Sequence, residues 1–160
     1  MIIVDVFVPG AAKTKGSMEV RNRATGAMKE SVAGSSRWRA LMAQAVRDDI
    51  AMRQPPVAEL RSPYPGAVSV TVEAYLAPPL VHVVSPWTWP VWNRAGDLDK
   101  LVRNVLDAIG STSKNPKMNG GAIVDDNLVC RIVATKVVAG ERSALGDPRH
   151  AGVRIVVETL

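Results

Sequence analysis

The residues of this sequence that are best suited to chemistry begin with an acidic segment that runs from Asp97 to Asp107. In a helix that starts near Asp97, the side chains of Asp99, Arg103 and Asp107 recur every four residues and share one polar face. The Asp97 carboxylate can turn towards Asp99 at the start of that helix, and such a pair suits a hard cation such as Mg²⁺. The same residues also fit a helix without a metal, in which Asp97 is the N-cap, the helix dipole favours Asp99 and Arg103 forms an ion pair.

A second acidic segment, Asp125-Asp126, follows the apolar residues 122–124 and precedes a predicted strand. Alone, this doublet is typical of a turn. Four aspartates at two junctions between loops and regular elements would repel one another unless a cation relieved the repulsion. In a nuclease, such a cation activates the attacking water and offsets charge on the scissile phosphate. We therefore expect the two acidic segments to meet in space.

The hydrophobic pattern predicts the elements that must bring these segments together. Alternating apolar residues predict strands at 2–8, 68–76 and 153–157, and a β-branched run predicts another at 128–138. Apolar residues at helical spacing predict one helix from Ser35 or Ser36 to a point before Pro55, and a second from Asp97 to Ile109. The order β-α-β-α-β-β, with two main helices covering a mixed sheet of about four strands, indicates an α+β fold with one domain, residues 1–160.

The same patterns predict which side chains are buried. Apolar positions of the first strand should share one face, and they are Ile2, Val4, Val6 and Val8. The first helix should bury the stripe Trp38, Leu41, Met42, Ala45, Val46 and Ile50. Residues 68–76 should form a half-buried strand, and Cys130 should be a small core residue. Residues 11–34 are rich in Gly, Lys, Arg and Ser without a sustained period, and they predict a long, mobile, basic loop.

The composition limits the classes of protein to which the chain can belong. Lysine and arginine total 20 against 15 acidic residues, and the net charge of +5 suits a polyanionic partner such as nucleic acid, although many basic proteins lack one. A single cysteine excludes an internal disulfide and a cysteine-based zinc site, and it suits a reducing cytosol. The sequence has no apolar run of roughly 20 residues, and its first residues lack the features of a signal peptide, so we expect a cytoplasmic protein without a membrane span.

Three acidic motifs stand together at defined spacings: Asp97-Leu98-Asp99-Lys100-Leu101 with Arg103, Asp107-Ala108, and Asp125-Asp126-Asn127-Leu128-Val129 with Lys136 further on. This combination resembles the RusA family of Holliday junction resolvases. The resemblance extends to the Pro-Gly pair, the Lys15-Gly16-Ser17 loop and the first helix, so it covers most of the chain. It implies a homodimer that nicks two opposed strands of a four-way DNA junction with Mg²⁺ or Mn²⁺. It is strongest to phage and prophage members, which implies a phage-type protein acting in a bacterial host.

The resemblance also implies roles for individual residues. The metal-binding carboxylates that it implies are Asp97, Asp99 and Asp126, with Asp125 beside them. The chain departs from the family pattern in two places, because Lys100 stands where an Asn is typical and Arg103 where a Lys is typical. Arg103 can stabilise charge on a phosphate as well as a lysine can, but a guanidinium is a poor proton donor.

Basic side chains are candidates for contact with the DNA backbone, which would position a junction without reading its sequence. They are Lys13, Lys15, Arg21, Arg23, Lys100 and Lys136. The loop that holds the first four is equally compatible with a solvated segment, and Lys136 with a side chain on an exposed face. The tryptophans at 87, 89 and 92 either stack on unpaired bases or, as is commoner, pack over the core or in a dimer interface. His82 and His150 have no evident role.

Three functions are compatible with these observations. The leading hypothesis is a Mg²⁺-dependent endodeoxyribonuclease that resolves four-way junctions and related branched DNA in recombination and repair, through Asp97, Asp99 and Asp126. The alternative from another class is an accessory module of the same fold that binds branched DNA without cutting it. A basic scaffold protein with ordinary helix caps is the third. The spacing of the residues predicts only the acidic cluster, and the resemblance supplies the DNA substrate.

Overall fold

The protein is described by a computed structural model at residues 1–15, 18–22, 27–30, 33–53, 62–77, 96–112, 114–139 and 151–160. For residues 18–22 and 27–30 the description covers the backbone only. Several residues of the sequence predictions lie outside the described residues, namely Gly16, Ser17, Arg23, Pro55, His82, Trp87, Trp89, Trp92 and His150.

Six strands and two main helices make up the described fold. The strands are β1 (Ile2–Pro9), β2 (Met18–Asn22), β3 (Ala27–Glu30), β4 (Val68–Leu76), β5 (Val129–Val138) and β6 (Gly152–Thr159), and the helices are α1 (Ser35–Arg53) and α2 (Leu98–Ile109). Four strands form a mixed sheet in the order β1-β6-β4-β5. β6 is antiparallel to both β1 and β4, whereas β5 is parallel to β4. The predicted α+β fold with the order β-α-β-α-β-β is therefore confirmed.

The parallel pairing of β4 with β5 places α2 beside the edge of the sheet. Two parallel neighbours require a crossover connection, and α2 lies within the one that joins β4 to β5. Gly110 ends the helix as its C-cap, as its position in the sequence predicted. The backbone N–H of Ala122 then donates to the carbonyl of Ile109 at 2.9 Å, which ties the segment before β5 to the C-terminal end of α2.

The core lies between the two helices and one face of the sheet. Register pairs Val70 with Val157 and Val72 with Ile155, so the apolar faces of β4 and β6 coincide. The helices contribute a buried set made of Trp38, Met42, Ala43, Val46, Val105, Ala108 and Ile109. Burial of these side chains removes apolar surface from water, which is the main favourable contribution to folding. This packing holds α1 and α2 against the sheet and thereby fixes the position of the acidic segments.

β4 is buried on both faces, so the prediction of a half-buried strand is wrong. It lies between β5 and β6, and the face away from the helices is also largely covered: Glu73 is 8% and Tyr75 0% exposed. The Tyr75 hydroxyl donates to Glu73 Oε2 at 2.7 Å, and Phe7 packs edge-on against the Tyr75 ring. Glu73 and Tyr75 are thus partners inside the fold, as buried polar groups generally require.

The described residues between 11 and 34 include two short strands. β2 and β3 pair in antiparallel register, from Met18 opposite Glu30 to Asn22 opposite Ala27, and form a separate two-stranded sheet. Before β2, the backbone N–H of Lys15 donates to the carbonyl of Lys100 at 3.1 Å. The prediction of a long, mobile, basic loop is therefore wrong for residues 18–22 and 27–30, because strands of four or five residues are too short for alternation to be visible in a sequence.

Other predictions about burial also need correction. Ile2 is 43% exposed and Ile3 is buried instead, because the register of β1 against β6 shifts between Ile2 and Val4. Leu41 is 49% exposed, although it falls on the predicted stripe of α1. Cys130 is exposed, because β5 is an edge strand and its first half is open to solvent. Within the described residues, no helix combines the length and apolar character needed to cross a bilayer.

Candidate metal centre

A groove between α2 and the start of β5 brings together residues from both acidic segments. Its apolar lining is Leu98, Val102, Leu106 and Ala134, and its polar lining is Asp99, Arg103 and Asp126. The cavity has a volume of about 470 Å³. The polar three are exposed, so their charges remain available to a partner from solution.

Helical spacing explains why α2 presents this combination to the groove. Leu98, Val102 and Leu106 recur every four residues and form a half-buried stripe beside the core positions. Asp99 directly follows Leu98 in the sequence, and Arg103 directly follows Val102. Their side chains therefore lie beside the apolar stripe, on its solvent side. The groove thus has an apolar floor with an acid and a base along one wall.

The opposite wall holds Asp126, which is placed by a short turn. Residues Asp126–Leu128 form a 3₁₀ turn directly before β5, and Asp125 is its N-cap. The Asp125 Oδ1 accepts a hydrogen bond from the backbone N–H of Asn127 at 3.0 Å. One acid of the doublet therefore closes the turn, as capping aspartates commonly do, while the other lines the groove.

Asp97 is the N-cap residue of α2 by position, but its side chain caps no backbone N–H. Its carboxylate instead lies 2.7 Å from Lys100 Nζ, three residues further along the chain. The hydrogen bond and charge of Lys100 lower the pKa of Asp97 below the ordinary aspartate value of 3.8, and the charge of Lys136 adds to this effect. The same pairing raises the pKa of Lys100. Asp97 therefore stays ionised at neutral pH, with Lys100 as its partner.

Asp107 faces away from the groove, although it shares the helical spacing of Asp99 and Arg103. Its Oδ2 atom lies 2.6 Å from Lys15 Nζ and 3.6 Å from Arg39 Nε. The close contact is an ion pair by distance, yet it lacks the direction of a hydrogen bond. The expected face of acid, base and acid is thus divided, with two members in the groove and the third in a contact between α1, α2 and the residues before β2.

Asn104 completes that contact and was not singled out from the sequence. The side chain is fully buried. Its Oδ1 accepts from Arg39 Nε at 2.9 Å, and its Nδ2 donates to the Lys13 carbonyl at 2.8 Å and to Ser35 Oγ at 3.4 Å. One feature of the sequence could have indicated that Asn104 is buried. It lies one turn after Lys100 in an amphipathic helix and directly precedes the buried residue Val105.

The predicted DNA contacts have different surroundings in the structure. Lys15 is paired with Asp107, and Lys100 with Asp97. Lys136 Nζ donates to the carbonyl oxygen of Gly96 at 3.1 Å. The backbone of Arg21 lies in β2. Of the six predicted basic residues, three thus have ionic or hydrogen-bonding partners of their own within the described part of the protein.

The donor set of the groove fits a hard divalent cation through two carboxylates. Mg²⁺ commonly keeps several waters and is bound by one or two carboxylates together with substrate phosphates. Asp99 and Asp126 supply those carboxylates from two walls, whereas Asp97 would have to leave Lys100 and Asp125 would have to leave its capping role. Among the described residues, no three His, Cys, Asp or Glu side chains stand close enough to hold a metal by themselves.

The sequence matches no protein-family model, and no curated protein matches it at a significant level. Any proposal about the function of this chain therefore depends on its residues, on their geometry and on the resemblance of its acidic motifs.

Proposed function

We propose that this protein is a metal-dependent endodeoxyribonuclease of the RusA type that cuts four-way junctions and related branched DNA. The observation that carries the proposal is the groove in which Asp99, from α2, and Asp126, from the turn before β5, lie with Arg103. A basic chain with a net charge of +5 favours the polyanionic substrate. Two such chains in a homodimer would make the paired cuts that resolve a junction.

In this mechanism, Asp99 and Asp126 would hold Mg²⁺, or Mn²⁺ in its place. The bound ion would supply an activated water and neutralise charge on the scissile phosphate. Asp97 lies at the start of the same helix and can join as a ligand when it leaves Lys100. Leu98, Val102 and Leu106 form the apolar floor of the groove beneath these charged groups.

Arg103 is the candidate for binding the phosphate that is cut. A guanidinium is planar, carries several N–H donors and matches the geometry of phosphate oxygens. A guanidinium is a poor proton donor, so Arg103 would stabilise charge in the transition state and not transfer a proton. The proton for the leaving oxygen must then come from water or from another group.

The test compares cleavage of a labelled synthetic four-way junction by wild-type protein and by the variants Asp99→Asn and Asp126→Asn, with Mg²⁺ and with EDTA. Each variant removes the charge of one of two carboxylates in the groove and should slow cleavage about 10–100-fold or more, because even partners that only orient the ligands of a metal change activity by that factor. Asp48→Asn is the matched control, because Asp48 is an exposed carboxylate on α1 that contacts Gln44 and not the groove. Equal cleavage by the wild type and the two groove variants would eliminate the metal site.

A non-catalytic module that binds branched DNA is the second candidate. The observation that favours it is the pairing of Asp97 with Lys100, which leaves two carboxylates in the groove. Such a module would shift a labelled junction in EDTA, and its affinity would fall steeply with salt. Binding without any cleavage after the addition of Mn²⁺ would support this candidate and contradict the nuclease.

A further inference from the structure

Two other parts of the chain meet Gly96, the residue directly before Asp97. Lys136 extends from β5 and donates from Nζ to the Gly96 carbonyl at 3.1 Å, in a partly buried hydrogen bond. Gly96 has φ +72°, and a Cβ atom placed on it would lie 2.5 Å from Thr14 Cγ2. Only glycine adopts this conformation without strain, and here it also allows the close approach of the residues before β2.

The bond from Lys136 links the two walls of the groove at one end. Lys136 is near the C-terminal end of β5, ten residues after Asp126, and Gly96 directly precedes the N-cap of α2, three residues before Asp99. At the other end, the N–H groups of Ala122 and Ile123 donate to the carbonyl of Ile109. The walls that carry Asp99 and Asp126 are therefore fastened to each other near both ends of α2.

We infer that Lys136 is a positioning residue, which holds the start of α2 against β5 so that Asp99 remains opposite Asp126 for metal binding. This inference rests on the proposed function, since it assigns Lys136 a task at the proposed metal site. Its ammonium group acts through the Gly96 backbone and not through DNA. It therefore differs from the contact with a phosphate that the sequence predicts for Lys136.

Electrostatics and positioning predict opposite effects for the loss of Lys136. Its positive charge lies near Asp97 and would repel a bound cation, so removal of the charge alone should strengthen metal binding. Loss of the hydrogen bond to Gly96 should instead weaken metal binding, because partners that orient the ligands of a metal typically change its affinity by about 10–100-fold. The sign of the change separates the two effects.

The experiment compares wild-type protein with Lys136→Met, Lys136→Arg and Lys117→Met. Methionine keeps most of the length of the lysine side chain but has no hydrogen-bond donor, whereas arginine keeps both a donor and the positive charge. Lys117 is the control position, because it is an exposed lysine on the turn Pro116–Met118. Calorimetry would measure the binding of Mn²⁺ alone. Hydrogen exchange would report the protection of the backbone amides of residues 101 and 102, and a gel shift would give the salt dependence of binding to a four-way junction.

We expect Lys136→Met to weaken Mn²⁺ binding about tenfold and to accelerate amide exchange in the first turn of α2, with the salt dependence of DNA binding unchanged. Lys136→Arg should restore both quantities, and Lys117→Met should change neither. Stronger Mn²⁺ binding by Lys136→Met, or unchanged exchange with a salt slope reduced by about one, would overturn the inference. If the wild type binds no Mn²⁺, the proposed function fails, and the exchange measurement alone decides whether Lys136 positions α2.

Discussion

Substitution of Asn104 provides the most stringent test of how the residues before β2 are held to α2. Its side chain is fully buried and bonds to Arg39 Nε, to the carbonyl of Lys13 and, at a longer distance, to Ser35 Oγ. Asn104→Ala removes all three bonds at once. The Lys13 carbonyl then loses its partner, and Arg39 keeps the longer contact with Asp107.

The expected loss of stability follows from the two shorter bonds. A bond to a charged group contributes about 1.5–3 kcal/mol and a neutral one about 0.5–1.5 kcal/mol, so Asn104→Ala should lower the free energy of unfolding by about 3 kcal/mol. For a chain of this length, each kcal/mol shifts the melting temperature by about 2–4 °C, which gives a decrease of about 6–12 °C.

Urea unfolding followed by circular dichroism measures this change directly, since the midpoint should fall at an unchanged slope. Asn127→Ala is the matched control, because Asn127 is exposed and the same substitution there should cost no more than about 0.5 kcal/mol. A loss below about 1 kcal/mol for Asn104→Ala would show that these bonds do not hold the residues before β2 to α2. The reasoning about that contact would then be refuted.

Two further predictions concern the pairing of Asp97 with Lys100. Lys100→Met frees the Asp97 carboxylate, and because exposed ion pairs are weak, Mn²⁺ affinity should rise only about two- to fivefold; weaker binding in calorimetry would argue against Asp97 as a ligand. The second prediction is that the pair is intact from about pH 4 to pH 10. The pKa of Asp97 in the folded protein lies below the ordinary aspartate value of 3.8, so its charge contributes fully to stability above pH 3.8. This contribution is lost as the pH falls through the lowered pKa. The pKa of Lys100 is raised above the ordinary lysine value of 10.5, so Lys100 keeps its charge to above pH 10.5. A carboxyl chemical shift of Asp97 that titrates above 3.8 would contradict this pairing.

The sequence was sufficient for the elements with a strong period. Alternation located β1 and β4, and the apolar stripe with Gly110 located both ends of α2 to within a residue. Alternation could not reveal that β4 lies between two neighbours, because a polar residue such as Glu73 looks solvent-exposed in sequence even when Tyr75 bonds to it inside the fold. Burial on the second face depends on which strands pair, and that is set by the whole chain.

The candidate site was also predictable from the sequence only in part. Helical spacing correctly indicated that Asp99 and Arg103 share a side of α2, and the groove holds both. The positions of the remaining carboxylates depend on the groups that they contact in the folded protein. Asp107 pairs with Lys15, and Asp125 accepts a hydrogen bond from the backbone N–H of Asn127. Spacing along one helix places a side chain on a face, but it does not determine which cation from another segment reaches it.

Paramagnetic broadening by Mn²⁺ provides the most direct test of a shared ion. A bound Mn²⁺ broadens the NMR signals of nearby amides, so substoichiometric Mn²⁺ added to labelled protein reports which residues surround it. We expect the amides of Asp99 and Asp126 to broaden together, at a concentration of Mn²⁺ that leaves the amide of Asp5 sharp, because Asp5 is on β1, at the opposite edge of the sheet from β5. Broadening at only one of the two groove residues, or equally at Asp5, would contradict a metal site built between α2 and the turn before β5.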